Sequence, residues 1–212
     1  MKYEWRKKEK SIYIPKATPE IVDVPSFNYF AIDGQGNPND DSFSQYIEAL
    51  YSVAYTVRMS HKSGFSPSNY FEYTVYPLEG VWDISEEAKQ NYNGKLDKDS
   101  LVYSLMIRQP EFVTEDFANQ SLERALAKKK NELIRQVKFK SINDGLCVQM
   151  LHKGSFDDEP KSFEEMEHYC AENGLARKCK KHREIYLSDF RKTETGKLKT
   201  TLRFQVENTH NK

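Results

Sequence analysis

Three cysteines in 212 residues are too few and too widely spaced to staple a fold. Cys147, Cys170 and Cys179 are odd in number and show no C-x-x-C spacing. They read as reduced thiols in a cytoplasmic protein. Long apolar runs are also missing: no stretch approaches the ~18 residues that a membrane span needs. The opening MKYEWRKKEK is dense in charge and no apolar segment follows it, so it does not read as a signal peptide. Net charge is lacking as well. Lys and Arg total 32, Asp and Glu total 32, and the formal balance is zero. A global field for nucleic acid or an anionic membrane is therefore not expected. Catalytic signatures are sparse. Gly34 and Gly36 make a G-x-G without the continuation of a dinucleotide loop. There is no G-x-S-x-G elbow, and no histidine pair has metal-ligand spacing. Neither a metal nor a cofactor is expected.

What the chain has in quantity is aromatics: 13 Tyr, 12 Phe and 2 Trp. These suffice for a core and leave rings over to line a pocket. The chain also nearly repeats itself. FNYFAIDGQGNPND, a helical segment and FEYTVYPLEG are followed later by GLCVQMLHKGSFDDEP, a helical segment and HREIYLSD. Each copy reads as a strand closing at a glycine (Gly36, Gly154), an acidic or Asx turn, an amphipathic helix and a Tyr-bearing strand.

In the first copy the helix opens at Ser42, with Gln45 completing a capping-box pattern. Phe43, Tyr46, Ile47, Leu50, Val53, Ala54 and Val57 recur at helical spacing. YFEYTVYPLEGVW then alternates as a strand, residues 85–99 read as a polar hairpin loop, and LVYSLMIRQP is a strand stopped by Pro110. A helix of roughly 114–136 opens at Thr114. In the second copy Ser162 and Glu165 form a capping box, Phe163, Met166, Tyr169 and Cys170 supply the stripe, and Gly174 closes the helix. HREIYLSD puts Glu184, Tyr186 and Ser188 on one face and Ile185 and Leu187 on the other. TTLRFQVE is the last strand.

The domain plan is a loosely attached charged arm over 1–20, a single domain over 21–207 and a disordered tail over 208–212. Repeat one covers about 25–110 and repeat two about 143–207. The fold class is α+β: tandem β-α-β-β repeats, a largely antiparallel sheet, helices on one face and a ligand groove on the other.

Several strings together resemble the gyrase-inhibitory-protein-like (GyrI-like) small-molecule-binding family. They are FAIDGQGNPND, IEALYSVAYTV, YTVYPLEGVW, LMIRQPEFVT, LHKGSFDDEPKSFEEME and HREIYLSDFRKTETGKLKTTLRF. The resemblance covers about residues 25–207 and implies paired β-α-β-β units about a pseudo-two-fold axis. It includes gyrase-inhibiting proteins, effector domains of multidrug-sensing regulators, and hydrolases that open the cyclopropane ring of DNA-alkylating cyclopropanoids. The residues before 25 leave little room for a helix-turn-helix reader, and GNPND, MIRQPEFVT and HREIYLSD look like the stand-alone branch containing the hydrolases. The neutral charge balance does not favour DNA mimicry.

Glu184 is the leading catalytic candidate. On residue pattern alone a carboxylate on an open strand face is a solvated surface group. The resemblance implies instead a buried glutamate facing the ligand, where desolvation would raise its proton affinity. Tyr186 and Tyr76 take matching places in the two copies and offer ring walls and hydroxyls, although tyrosine is also simply at home in sheets. Trp82 could close one end of a groove, Met106 could pack adaptably beside Ser104 and Arg108, and Tyr70 joins the same set. His152 reads as a surface or capping residue. The expected activity is hydrolysis of a cyclopropanoid, with Glu184 as base towards water and Tyr76 as donor to the developing phenolate. The alternative is non-catalytic binding of lipophilic, often cationic, aromatics. The expected partner is a hydrophobic aromatic small molecule.

Overall fold

In the computed structural model, which describes residues 2–209, the elements follow in this order. Helices α1 (Trp5–Lys8) and α2 (Lys10–Tyr13) precede strands β1 (Glu20–Val24) and β2 (Phe27–Gln35). Then come α3 (Phe43–Arg58), β3 (Leu78–Ile84), α4 (Glu86–Gln90), β4 (Leu101–Arg108) and α5 (Glu115–Lys128). The second half holds β5 (Lys138–Ile142), β6 (Gly145–Lys153), α6 (Glu159–Glu172), β7 (Leu175–Arg177), β8 (His182–Tyr186) and β9 (Lys199–Asn208). The strand pairings within both halves are antiparallel. The fold is therefore α+β, as the repeat pattern predicts. The chain divides into two compact units. One holds Phe27–Ile142 with the residues up to Glu4; the other holds Trp5–Ser26 and the residues from Asn143 onward.

In the first unit the sheet order is β5-β2-β4-β3. Facing residues Phe30, Ile32, Leu105 and Ile107 are fully buried, and α3 presents Ile47, Leu50, Val53, Ala54 and Val57 as its buried stripe. Phe43 of α3 packs its ring 5.2 Å from Tyr103 and 6.0 Å from Trp82, which marks the Tyr103–Leu105–Ile107 side as the α3 side. The opposite side carries a smaller cluster of Tyr29, Ala31 and Met106. Gly34 explains itself here: a Cβ would lie 2.4 Å from Tyr103 Cε2, so only glycine lets that ring settle on β2.

In the second unit the order is β1-β6-β9-β8, with β7 also pairing with β9. Val148, Met150, Leu202, Phe204 and Val206 form a core with Met166 and Cys170 of α6. The ladder pairs Met150 with Leu202 and Leu202 with Glu184. Residues paired across a ladder point to the same side, so Glu184 is on the α6 side. This reverses the expectation that Glu184 lies on an open strand face, away from the helices.

That other side is covered by the N-terminal segment. Thr201 Oγ1 donates to Tyr13 O at 2.8 Å, Gln149 Nε2 to Ser11 O at 2.7 Å, and Leu151 N to Lys16 O at 2.7 Å. The buried Arg203 guanidinium donates to Ile12 O and to Gln149 Oε1. Trp5 and Tyr13 are 2% and 0% exposed. The segment is thus a docked layer, where a loose arm was expected. Its charges alone suggest solvent, but Trp5, Tyr13 and the four backbone carbonyls of Ser11, Ile12, Tyr13 and Lys16 do the docking.

Other departures are local. Residues 70–77 form no strand, and Tyr73 makes only an isolated parallel bridge to Tyr3. The helix expected over 114–136 stops at Lys128, and Glu132–Gln136 is a separate 3₁₀ turn. Thr114 caps α5 by accepting from Phe117 N at 3.3 Å, whereas Ser42 precedes α3 without a side-chain cap bond. Ser162 lies inside α6 and meets His152 Nδ1 at 2.9 Å instead of capping. Gly174 follows α6 at φ +66°, as a closing glycine should. Of the expected tail, Asn208 ends β9 and Thr209 bonds Gly174 O; 210–212 lie outside the described residues.

The two copies can now be matched by ladder register. Counting back from the closing glycines aligns Ile32 with Met150, and their partners Leu105 and Leu202 face Gly80 and Glu184. Glu184 therefore corresponds to Gly80 and Tyr186 to Trp82. The match of Tyr186 with Tyr76 does not hold, because Tyr76 precedes β3.

Replacing Trp5 by Ala removes a buried indole from the docked layer and is expected to cost ~3–5 kcal/mol. Urea unfolding checks this; a loss below about 0.5 kcal/mol would mean that the segment is loose after all.

Candidate functional site

Strand β8 places alternate residues His182, Glu184 and Tyr186 on its α6 side. Glu184 is 8% exposed, and both carboxylate oxygens are engaged by its own strand. Tyr186 donates its hydroxyl to Oε2 at 2.8 Å, and His182 Nε2 lies 3.1 Å from Oε1. Rings surround this trio. Phe163 of α6 meets the His182 ring edge-on at 4.7 Å, while Phe156 and Phe190 sit 6.0 and 5.9 Å from Tyr186.

A second carboxyl completes the group. The ordinary turn residues Ser155–Asp158 lead into α6, whose first residue is Glu159 and second is Pro160. Proline suits this position because its missing N–H would have no helical partner. Glu159 is 6% exposed and its Oε1 is buried with no hydrogen-bond partner. One ligand atom each from Glu159, His182 and Glu184 lies within 4.8 Å of the others. Burial pushes the Glu159 carboxyl well above the usual carboxylate range; the negative charge of Glu184, a hydrogen bond with it, and Asp157 push the same way. A helix N-terminus favours the ionised form by only ~0.3–1 kcal/mol, and here desolvation wins. A depression of ≈580 Å³ opens beside the group, bordered by Pro160, Phe163, Glu164, Lys180 and His182.

Glu184 and Tyr186 are thus adjacent, as their alternation suggests. The other expected residues belong to the first unit and to different environments within it. Trp82 is 6% exposed on the α3 side, its ring 5.0 Å from Tyr103. Met106 is on the opposite side with Tyr29 and Ala31. Tyr76 is buried, with the Arg108 guanidinium 4.6 Å from its ring centre and 3.4 Å from that of Phe27. Tyr70 donates to Arg58 O at 2.7 Å and accepts from its guanidinium at 3.0 Å, stacked on His61. Within that unit Trp82 and Met106 do not line one surface.

Two members of the Glu159–His182–Glu184 group escaped sequence reading. His182 was legible: extending the β8 alternation back one step puts it beside Glu184. Glu159 sat in the run FDDEP, which reads as a turn, and only the helix start at Glu159-Pro160 turns it inward.

Fold and site together define an antiparallel α+β domain with a buried acidic–aromatic group suited to small molecules. The GyrI-like small molecule binding domain model matches residues 17–207, and the chain belongs to that family. Two hydrolases from Listeria innocua are similar in structure. One has 34% identity and a TM-score of 0.87 over 97% of this chain and 100% of its own. The other has 36% identity and a TM-score of 0.89 over 98% and 100%. The C-terminal domain of EcmrR shares the fold at 15% identity and a TM-score of 0.51, covering 93% of this chain and 99% of its own. No functionally curated protein matches the chain in sequence. Among the described residues no helix is long and apolar enough to cross a membrane.

The raised proton affinity of Glu159 has a definite sign. Its bound proton contributes stability fully below the unfolded value near 4.5, and that contribution is lost as pH rises towards the folded value. Glu159→Gln does not titrate, so its stability relative to the parent should increase between about pH 5 and about pH 8. Denaturant unfolding at both pH values checks it; a constant difference would contradict the assignment.

Proposed function

We propose that this domain binds flat, hydrophobic aromatic compounds and hydrolyses strained electrophilic ones of the cyclopropanoid kind. The observation that carries the reading is the buried Glu184 carboxylate, held at both oxygens by His182 and Tyr186 among Phe156, Phe163 and Phe190. Similarity to two hydrolases over nearly the whole chain supports the choice of reaction class.

In the proposed step Glu184 accepts a proton from water as the water oxygen attacks the cyclopropane methylene. The methylene–ring carbon bond breaks, and its electron pair enters the ring to give a phenolate. The proton then reaches the phenolate oxygen from Glu184 or solvent, so the net change is addition of one water. The substrate is intrinsically reactive, so positioning and modest base assistance suffice. Tyr186 and His182 fix the direction of the Glu184 lone pairs.

Binding without turnover is the second reading. Two neighbouring carboxyl groups among aromatic rings also suit a lipophilic cation. Incubation with a spirocyclopropyl cyclohexadienone, followed by mass detection of the water adduct, separates the two. Turnover supports hydrolysis; saturable binding of cationic dyes with no adduct supports sequestration.

Glu184→Gln keeps the shape of the site and removes the base. It is expected to lower turnover by on the order of 10²–10⁴ while ligand affinity stays within about threefold. Turnover at the parent rate would remove Glu184 from the base role.

A further inference from the structure

We infer that Glu159, His182 and Glu184 form a binding site for one divalent transition-metal ion, of the zinc or cobalt kind. The inference goes beyond the hydrolytic reading and does not depend on it. Three observations carry it. The first is the donor set. Two carboxylates and one imidazole have donor atoms within 4.8 Å of one another, and His182 Nε2 and Glu184 Oε1 are already 3.1 Å apart. Bonds of ~2.0–2.2 Å in a tetrahedron put ligand atoms roughly 3.4 Å apart, so closure asks for a shift of about 1 Å.

The second is Glu159 itself. Its side chain is more than nine-tenths buried and its Oε1 has no hydrogen-bond partner. A buried acceptor left unmatched costs ~1–3 kcal/mol, more when charged, and a cation displacing the Glu159 proton would give that oxygen a partner and hold the two ionised carboxylates together. The third is the surroundings. Tyr186 donates to the other oxygen of Glu184, and the Phe163 ring edge steadies His182. Such outer contacts orient ligands. Arg177 and Lys180, the cationic side chains bordering the adjoining depression, are paired with Glu167 at 2.8 and 3.0 Å. The imidazole selects transition metals over magnesium or calcium, and three protein ligands leave a fourth position for water or a ligand atom. With the ion bound, Glu184 is a ligand and cannot serve as a base, so metal-loaded and hydrolytic states would exclude each other.

The test uses the full chain stripped of metal by chelator and needs no substrate. Calorimetric titration with Zn²⁺ should show one site per chain, and Co²⁺ should develop the visible absorption of a low-coordinate complex. Glu159→Gln and His182→Gln, each checked for folding by circular dichroism, should weaken Zn²⁺ by on the order of 100-fold or more. His168→Gln, which removes the exposed His168–Glu172 pair on α6, should leave the titration unchanged. No stoichiometric binding, or binding equally tight in Glu159→Gln and His182→Gln, overturns the site. Neither result bears on whether Glu184→Gln loses turnover, so the two readings fail separately.

Discussion

The second unit is organised around a carboxylate kept out of water. Glu184 sits on the α6 side of β8, in line with Leu202 and Met150 of the core, and is 8% exposed. A desolvated charge is tolerated only if matched. The matching dictates much of what surrounds it: Tyr186 and His182 at its oxygens, a Glu159 at the head of α6 whose carboxyl burial pushes well above the usual range, and a rim of phenylalanines that limits water. Each partner is fixed by the same local geometry. Strand alternation places His182 and Tyr186, and the Glu159-Pro160 helix start places the second carboxyl.

The opposite side of that sheet solves a similar problem with other means. Arg183 and Arg203 are nearly fully buried there. Arg183 makes a two-point contact with Asp144 at 2.8 and 2.9 Å. Arg203 is held by Gln149 and by the Ile12 carbonyl. The docked N-terminal layer is thus a polar lid as well as an apolar one. Stripping it would take the Ile12 carbonyl from Arg203 and leave Tyr13 in water. This side is structural, while the α6 side carries the reactive groups.

The repeat, the strand alternation and the core stripe of α6 were all legible from residue pattern. So was the pairing of Glu184 with Tyr186. Which side of β8 the helix covers was not, because both sides are buried. Ile185 and Arg183 on the other side are buried as fully as Glu184 on the α6 side, so alternation carries no sign. Trp82 is ambiguous in the sequence for a related reason. It looks like a groove wall after Pro77 and Gly80, yet it shares a side with Tyr103 and is covered by Phe43 of α3. Residues 70–77 alternate like a strand, but Tyr70 and Tyr73 are drawn into aromatic packing with Phe112 instead of a ladder. Glu159 was hidden in an acidic turn sequence, where one helix boundary separates an exposed carboxylate from a buried one.

The central claim is that Glu159 and Glu184 form a buried pair in which Glu159 keeps its proton. Carbon-13 NMR of the glutamate carboxyls, assigned with Glu159→Gln and recorded in chelator, measures this directly. The account predicts one resonance, lost in that variant, whose titration lies well above those of the exposed glutamates. If the Glu159 carboxyl titrates in the ordinary range with the exposed ones, the pair is not buried as described and the site built on it does not stand.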